Sequence, residues 1–147
     1  AILADFRYMD SERGVLCFAE AKVGVPVPEG LVAVIGNVCQ PSAMREVVML
    51  GKKLDPQLAL EFGLVDGIAP SAQLDAMVDK QVARLSRLSL DVLIACKASL
   101  RAAVLPKANN ALATSGPGKN FMEFTHDDYL GEGLRAFMEG RQPVFTK

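Results

Sequence analysis

The amino-acid sequence predicts an α/β (α+β) fold in which a few short strands near the start are outnumbered by helices. Two runs rich in β-branched and aromatic residues, Asp5-Phe-Arg-Tyr-Met9 and Val15 to Ala19, flank the turn cluster Asp10-Ser-Glu-Arg-Gly14. From Pro28 onward the apolar residues recur mostly at helical rather than strand spacing. Between them, Asp55-Pro56 and Gly63 bracket a segment with the start and stop signals of a helix.

Taken in order, Ala1 to Ala4 reads as the last turn of a helix. The strands at 5–9 and 15–19 are expected to pair as a hairpin across their five-residue turn. Pro28 suits the first position of a helix running to about Cys39, with Leu31, Val34, Ile35 and Val38 on one face, and Gln40-Pro41 breaks it. A second helix holds Met44, Val47 and Val48 and stops at Gly51. The Asp55-capped helix turns Leu58, Ala59 and Phe62 inward, and Leu64 to Ile68 follows as an extended stretch. Ser71 is expected to cap a helix with Leu74, Met77, Val78, Val82 and Leu85 inward. Leu90, Leu93, Ile94, Leu100 and Val104 repeat the pattern until Pro106 ends it, so the two helices read as a helical hairpin. Asn109 to Asn120 is expected to be a loop. A last helix carries Phe121, Phe124, Leu130, Leu134, Phe137 and Met138 on a broad apolar face, read as core or interface, before a tail from Arg141. So few strands leave sheet edges uncovered, which predicts β partners upstream of Ala1 or on another chain.

Of 147 residues, half are hydrophobic and 22% charged, and 16 Lys and Arg balance 17 Asp and Glu. A net charge of -1 without a block of like charge gives no footprint for nucleic acid or a membrane surface. Cys17, Cys39 and Cys96 are odd in number and far apart, matching neither a disulfide framework nor a metal cluster, and read as reduced core residues. No apolar run approaches the roughly 20 residues that span a bilayer. The expected location is intracellular, with peroxisome, mitochondrion and cytoplasm not distinguished; Phe145-Thr-Lys147 is not the Ser-Lys-Leu address.

The stretch GVLCFAEAKVGVPVPEG, residues 14–30, places one carboxylate, Glu20, in an otherwise apolar run. If the strand persists, Glu20 shares a face with Leu16 and Phe18, and a carboxylate partly removed from water has its charged form disfavoured, as a proton-transfer group near neutral pH requires. The alternative, which composition alone favours, is that the strand ends at Ala19 and Glu20 faces solvent beside Lys22. Gly24 and Gly30, with Pro26 and Pro28 between, form an extended loop leading to a helix start, either a pocket lining or a plain connector. His126 reads as a solvated helical histidine. Ser115-Gly-Pro-Gly-Lys119 lacks the phosphate-loop spacing and reads as a flexible connection, and no His, Cys, Asp and Glu set has metal-ligand spacing.

Phe18-Ala-Glu-Ala-Lys-Val-Gly24, Gly51-Lys-Lys-Leu with Ala59-Leu-Glu-Phe-Gly-Leu-Val-Asp66, and Glu132-Gly-Leu-Arg-Ala-Phe137 with Arg141-Gln-Pro-Val-Phe145 together resemble the C-terminal part of the enoyl-CoA hydratase/isomerase (crotonase) superfamily. The resemblance covers essentially the whole chain. It implies a partial crotonase-like ββα spiral core over 1–70 and a helical trimerisation region over 71–147, in a homotrimer or hexamer. It also implies an acyl-CoA substrate of fatty-acid metabolism, with coenzyme A part of the substrate and no separate cofactor. The thioester oxygen would be held by two backbone N–H donors whose segments precede the position of Ala1. Glu20 aligns with a family catalytic glutamate, which reverses the reading from composition. Val23, Gly24, Val25 and Pro26 would line the acyl pocket. Phe137 matches an aromatic near bound CoA, and Arg141 would stand in for a family lysine as a phosphate contact. Hydratases use a second glutamate, which would fall before Ala1, and a Gly-rich loop after the first. Gly24-Val-Pro-Val-Pro instead resembles the loop of peroxisomal-type enoyl-CoA isomerases. The implied reaction is a shift of an enoyl-CoA double bond from β,γ to α,β; water addition is the alternative, and a non-catalytic oligomerisation module is the alternative of another class.

Overall fold

The computed structural model describes residues 2–114 and 127–145. Its architecture is mixed α/β: a small parallel strand pair surrounded by helices. Strands β1 (Tyr8–Asp10) and β2 (Gly67–Ala69) pair in register, Tyr8 opposite Gly67 and Asp10 opposite Ala69. The helices are α1 (Glu29–Gly36), α2 (Pro56–Glu61), α3 (Ser71–Leu85), α4 (Leu90–Arg101), α5 (Leu105–Thr114) and α6 (Asp127–Glu139). A 3-10 turn spans Glu20–Val23 and a π-helical turn Arg45–Met49.

The expected hairpin does not form. Asp10 Oδ1 accepts the amides of Glu12 at 2.8 Å and Arg13 at 3.1 Å, closing a local turn. The edge of β1 is taken by β2, and the pairing is extended by Arg7 and Asp66. The Asp66 amide donates to the Arg7 carbonyl at 2.7 Å, the Arg7 amide to Asp66 Oδ2 at 2.8 Å, and the two side chains pair at 3.0 Å. Residues 15–19 keep only an isolated antiparallel bridge between Leu16 and Leu54. Residues 11–66 thus become the long crossover that parallel pairing requires.

The core is built inside that crossover. Ile35, Val47, Leu54, Ala59 and Leu64 are fully buried, with Cys39, Ala43 and Val65 around them. The Asp55–Gly63 signals are realised: Asp55 Oδ1 accepts the Leu58 amide at 2.8 Å, Pro56 opens α2, and Gly63 takes φ +76°. Gln40 bonds the end of α2 through the carbonyls of Glu61 (2.6 Å) and Phe62 (2.9 Å), fixing α1 against α2.

Ser71 does not cap α3. Pro70 holds the N-cap position, and the Ser71 hydroxyl donates to Asp10 Oδ2 at 2.6 Å and accepts from Arg13 Nη2 at 2.9 Å. The Ser71 hydrogen bond, then the Glu12 amide, hold the Asp10 carboxyl at about 2. This fastens the start of α3 to the end of β1. The expected α3–α4 hairpin is replaced by other packing, with α3 against the strand pair and α5 against α1. Pro106 does not terminate α4, which ends at Arg101; it lies in the first turn of α5, where its missing N–H is not needed. Residues 109–114 are therefore helical rather than loop. Leu90, Ile94 and Leu100, expected inward, are exposed, as are Cys17 and Cys96; only Cys39 is a core cysteine. His126, Phe121, Phe124 and the Ser115–Lys119 stretch lie outside the described residues.

Replacing Asp55 with Ala removes the acceptor for the Leu58 amide and is expected to lower stability by about 1 kcal/mol, read as a lower urea midpoint with unchanged slope.

Candidate active site

Glu20 does not end a strand. Ala19, at φ −84° and ψ 2°, turns the chain into the 3-10 turn that Glu20 begins. The amides of Lys22 and Val23 donate to the Ala19 carbonyl at 2.9 and 3.2 Å, and the buried Val25 donates to the Glu20 carbonyl at 2.9 Å. Gly24 closes the turn at φ +75°, a conformation that side chains with a Cβ disfavour. Glu20 is half-buried rather than facing freely outward: its Oε2 is out of water and has no hydrogen-bond partner among the described residues. A shielded carboxylate oxygen without a donor is energetically unfavourable and uncommon in folded proteins. Lys22 runs its aliphatic stem past Gly51.

Helix α6 covers this turn. A Cβ at Gly133 would lie 2.4 Å from backbone atoms of Val23, and one at Gly24 would lie 2.7 Å from the Tyr129 carbonyl oxygen. The two glycines let backbone approach backbone. The buried face of α6 therefore consists of small residues, Gly133 and Ala136, while Phe137 and Met138 are 74% and 79% exposed. The apolar pattern in the sequence picks out the outer face of this helix, and its inner face is marked only by glycine and alanine.

After α6 the tail folds back. Arg141 Nη1 and Nη2 donate to the two oxygens of Glu132 at 2.6 and 3.0 Å, and Nε donates to Glu139 at 2.6 Å. Glu132 also accepts the Val144 amide at 3.0 Å, and Phe145 packs edge-on against Tyr129 with ring centroids 5.5 Å apart. The Arg141 hydrogen bonds, then the Val144 amide, hold the Glu132 carboxyl at about 2, and the Arg141 pKa is raised in return. Arg141, expected near a ligand phosphate, thus has its charge shared between two carboxylates.

Of the residues singled out in the sequence, Glu20, Val23, Gly24 and Val25 come together under α6, Pro26 is exposed in the loop beyond, and Phe137 lies on the outer face of the helix. Glu132 and Gly133 enter the sequence analysis only as part of a family segment, without a role in the site. A glycine inside a helical pattern was the available signal, although Gly131 shows the same sequence feature with nothing within 4 Å. An open groove of about 990 Å³ lies between residues 2–7, α1, α4 and α5, its rim held by Lys97 and Arg101 on Asp5. Neither Glu20 nor residues 23–26 line it. Among the described residues no three His, Cys, Asp or Glu side chains converge as metal ligands, and no helix is long and apolar enough to cross a membrane.

The chain belongs to the enoyl-CoA hydratase/isomerase family, whose model matches residues 1–147. It is similar to enoyl-CoA delta isomerase 3 of Arabidopsis thaliana, 39% identical over 70 residues, 47% of this chain and 29% of that protein. It is also similar to carnitinyl-CoA dehydratase of Salmonella heidelberg strain SL476, 26% identical over 147 residues, 99% of this chain and 56% of that protein. Among solved structures, an enoyl-CoA hydratase from Mycobacterium avium subsp. paratuberculosis K-10 superposes with a TM-score of 0.82 at 25% identity, over 100% of this chain and 58% of that one. The chain thus spans little more than half the length of the relatives it matches end to end.

Replacing Gly133 with Ala is expected to lower stability by about 1–3 kcal/mol through overpacking, whereas Gly131→Ala gains about 0.5–1 kcal/mol of helix propensity; thermal unfolding of the pair checks this. Acid provides a second test. Because the folded-state pKa of Glu132 is depressed from 4.5 to about 2, its contribution is present above about 4.5 and is lost as pH falls towards 2. The expected result is a shallower loss of stability over that window in Glu132→Gln than in the wild type, followed by urea unfolding at each pH.

Proposed function

We propose that the protein carrying this chain is an acyl-CoA isomerase that shifts an enoyl-CoA double bond from the β,γ to the α,β position. Glu20 is the proton shuttle. The observation that carries this reading is the water-shielded Oε2 of Glu20, without a hydrogen-bond partner among the described residues, in the turn that α6 packs against. The thioester carbonyl acidifies the α-proton of the substrate, and two backbone N–H donors from segments upstream of Ala1 would stabilise the dienolate, each by about 2.7–4 kcal/mol. The carboxylate of Glu20 takes the proton from the α carbon and returns it at the γ carbon, so one acid on one face completes the reaction. Exclusion of water keeps the dienolate from being protonated by solvent.

Val23, Gly24, Val25 and Pro26 line the acyl chain in this reading, and Phe137 lies towards bound CoA. Arg141 shares that rim, where a CoA phosphate would compete with Glu132 and Glu139 for its guanidinium. Residues 1–70 act as the C-terminal part of the spiral core and 71–147 as the oligomerising region. The exposed Val82, Leu90, Ile94 and Leu100 supply apolar surface for a trimer or a dimer of trimers. The relative named as a delta isomerase supports double-bond migration. The match of the whole chain to a carnitinyl-CoA dehydratase supports a second reading, hydration or dehydration at the same carbons.

In the full-length protein, Glu20→Gln is expected to reduce turnover of a β,γ-enoyl-CoA by about 10²–10⁴-fold while acyl-CoA binding persists. Unchanged turnover refutes the assignment, and a 3-hydroxyacyl-CoA product from the wild type moves it to the second reading.

A further inference from the structure

We infer that Glu132, through its pair with Arg141, is a positioning residue for Glu20, so that residues 141–145 set the geometry of that acid by way of α6. The inference rests on the reading of Glu20 given above. It follows an unbroken chain of contacts. Arg141 grips both oxygens of Glu132, and the same carboxylate takes the Val144 amide, so residues 141–145 are folded back along α6. That fold-back sets Phe145 edge-on against Tyr129 in the first turns of the helix. The backbone of Tyr129 lies directly on Gly24, and one turn further on Gly133 lies on Val23. Gly24 and Val23 belong to the turn that Glu20 begins, and the amides of Lys22, Val23 and Val25 are bonded within it.

The turn has little of its own to hold it. Its N-cap, Ala19, offers no side-chain bond, and none of its four residues is fully buried. Short 3-10 segments are weak by themselves because their hydrogen-bond geometry is poor. Its position is therefore fixed from outside, by α6. Glu132 also sits beside Gly133 in sequence, so the charge clamp and the close backbone approach occupy adjacent positions of the same helix. A bidentate guanidinium–carboxylate pair fixes orientation as well as distance, which is what a fold-back of this kind requires.

The test is amide hydrogen exchange in the full-length protein, comparing wild type, Glu132→Gln, Arg141→Gln and Arg141→Lys, with kinetics on the same samples. The expected result is at least a five-fold loss of protection at Lys22, Val23 and Val25 in both Gln variants, with Arg141→Lys intermediate and the amides of α1 unchanged. In Glu132→Gln, which leaves the guanidinium of Arg141 in place, turnover should fall through kcat without a rise in KM. Faster exchange confined to residues 140–145, with the turn as protected as before, overturns the inference; so does a rise in KM at constant kcat in Glu132→Gln. Should a Gln variant fail to fold by circular dichroism, Arg141→Lys carries the same comparison. If Glu20→Gln keeps full turnover, the isomerase reading fails while the exchange result still decides whether the tail governs the turn.

Discussion

The approach of α6 to the Glu20–Val23 turn, backbone against backbone at Gly133 and Gly24, is the constraint on which the candidate site depends. A methyl group at Gly133 would overlap Val23. Without a side chain there, the helix settles directly on Val23 and Gly24, in the turn that begins at Glu20, whose Oε2 is out of water. Small residues rather than large ones form this contact because distance is what matters: a helix standing off on a leucine would leave the turn wet.

Charge then holds what packing alone would leave loose. α6 buries only a narrow face, and the large apolar residues it carries point outward. Glu132 and Arg141 compensate by tying the tail to the helix, and Phe145 to Tyr129. A second network joins β1 to α3 through Asp10, Arg13 and Ser71, while Arg7 with Asp66 locks the strand register. Both networks are built from residues distant in sequence or outside regular elements, so each fixes how elements meet rather than whether they form. This matches the placement of the candidate acid at a junction: an irregular turn between the hydrophobic core and a covering helix.

The parts legible in the sequence are those set by local chemistry. Asp55, Pro56 and Gly63 encode α2 in a few adjacent residues, and the apolar period of α1 survives, whereas in α3 Val78 and Val82 of the expected inner face are exposed. Glu20 was legible as an anomaly, an acid in an apolar run, but not its 3-10 geometry, which α6 supports from more than a hundred residues away. The hairpin was misread because the turn at 10–14 looks like a connector, while the competing parallel partner lies beyond residue 66 and is chosen by the Arg7–Asp66 pair. Pro106 was misread because proline ends one helix and opens another with equal ease. The inner face of α6 was hidden for a simpler reason. Hydrophobic patterning finds faces that bury large side chains, and this face buries only Gly133 and Ala136.

The seating of α6 is the most exposed link, and an isotope-edited NOE spectrum tests it directly. Cross-peaks between the α protons of Gly133 and those of Val23, with others joining Tyr129 to Gly24, are the predicted result. If Gly133 shows no contact with residues 20–24, the helix does not seat on the turn that carries Glu20, and the proposed positioning of that acid fails.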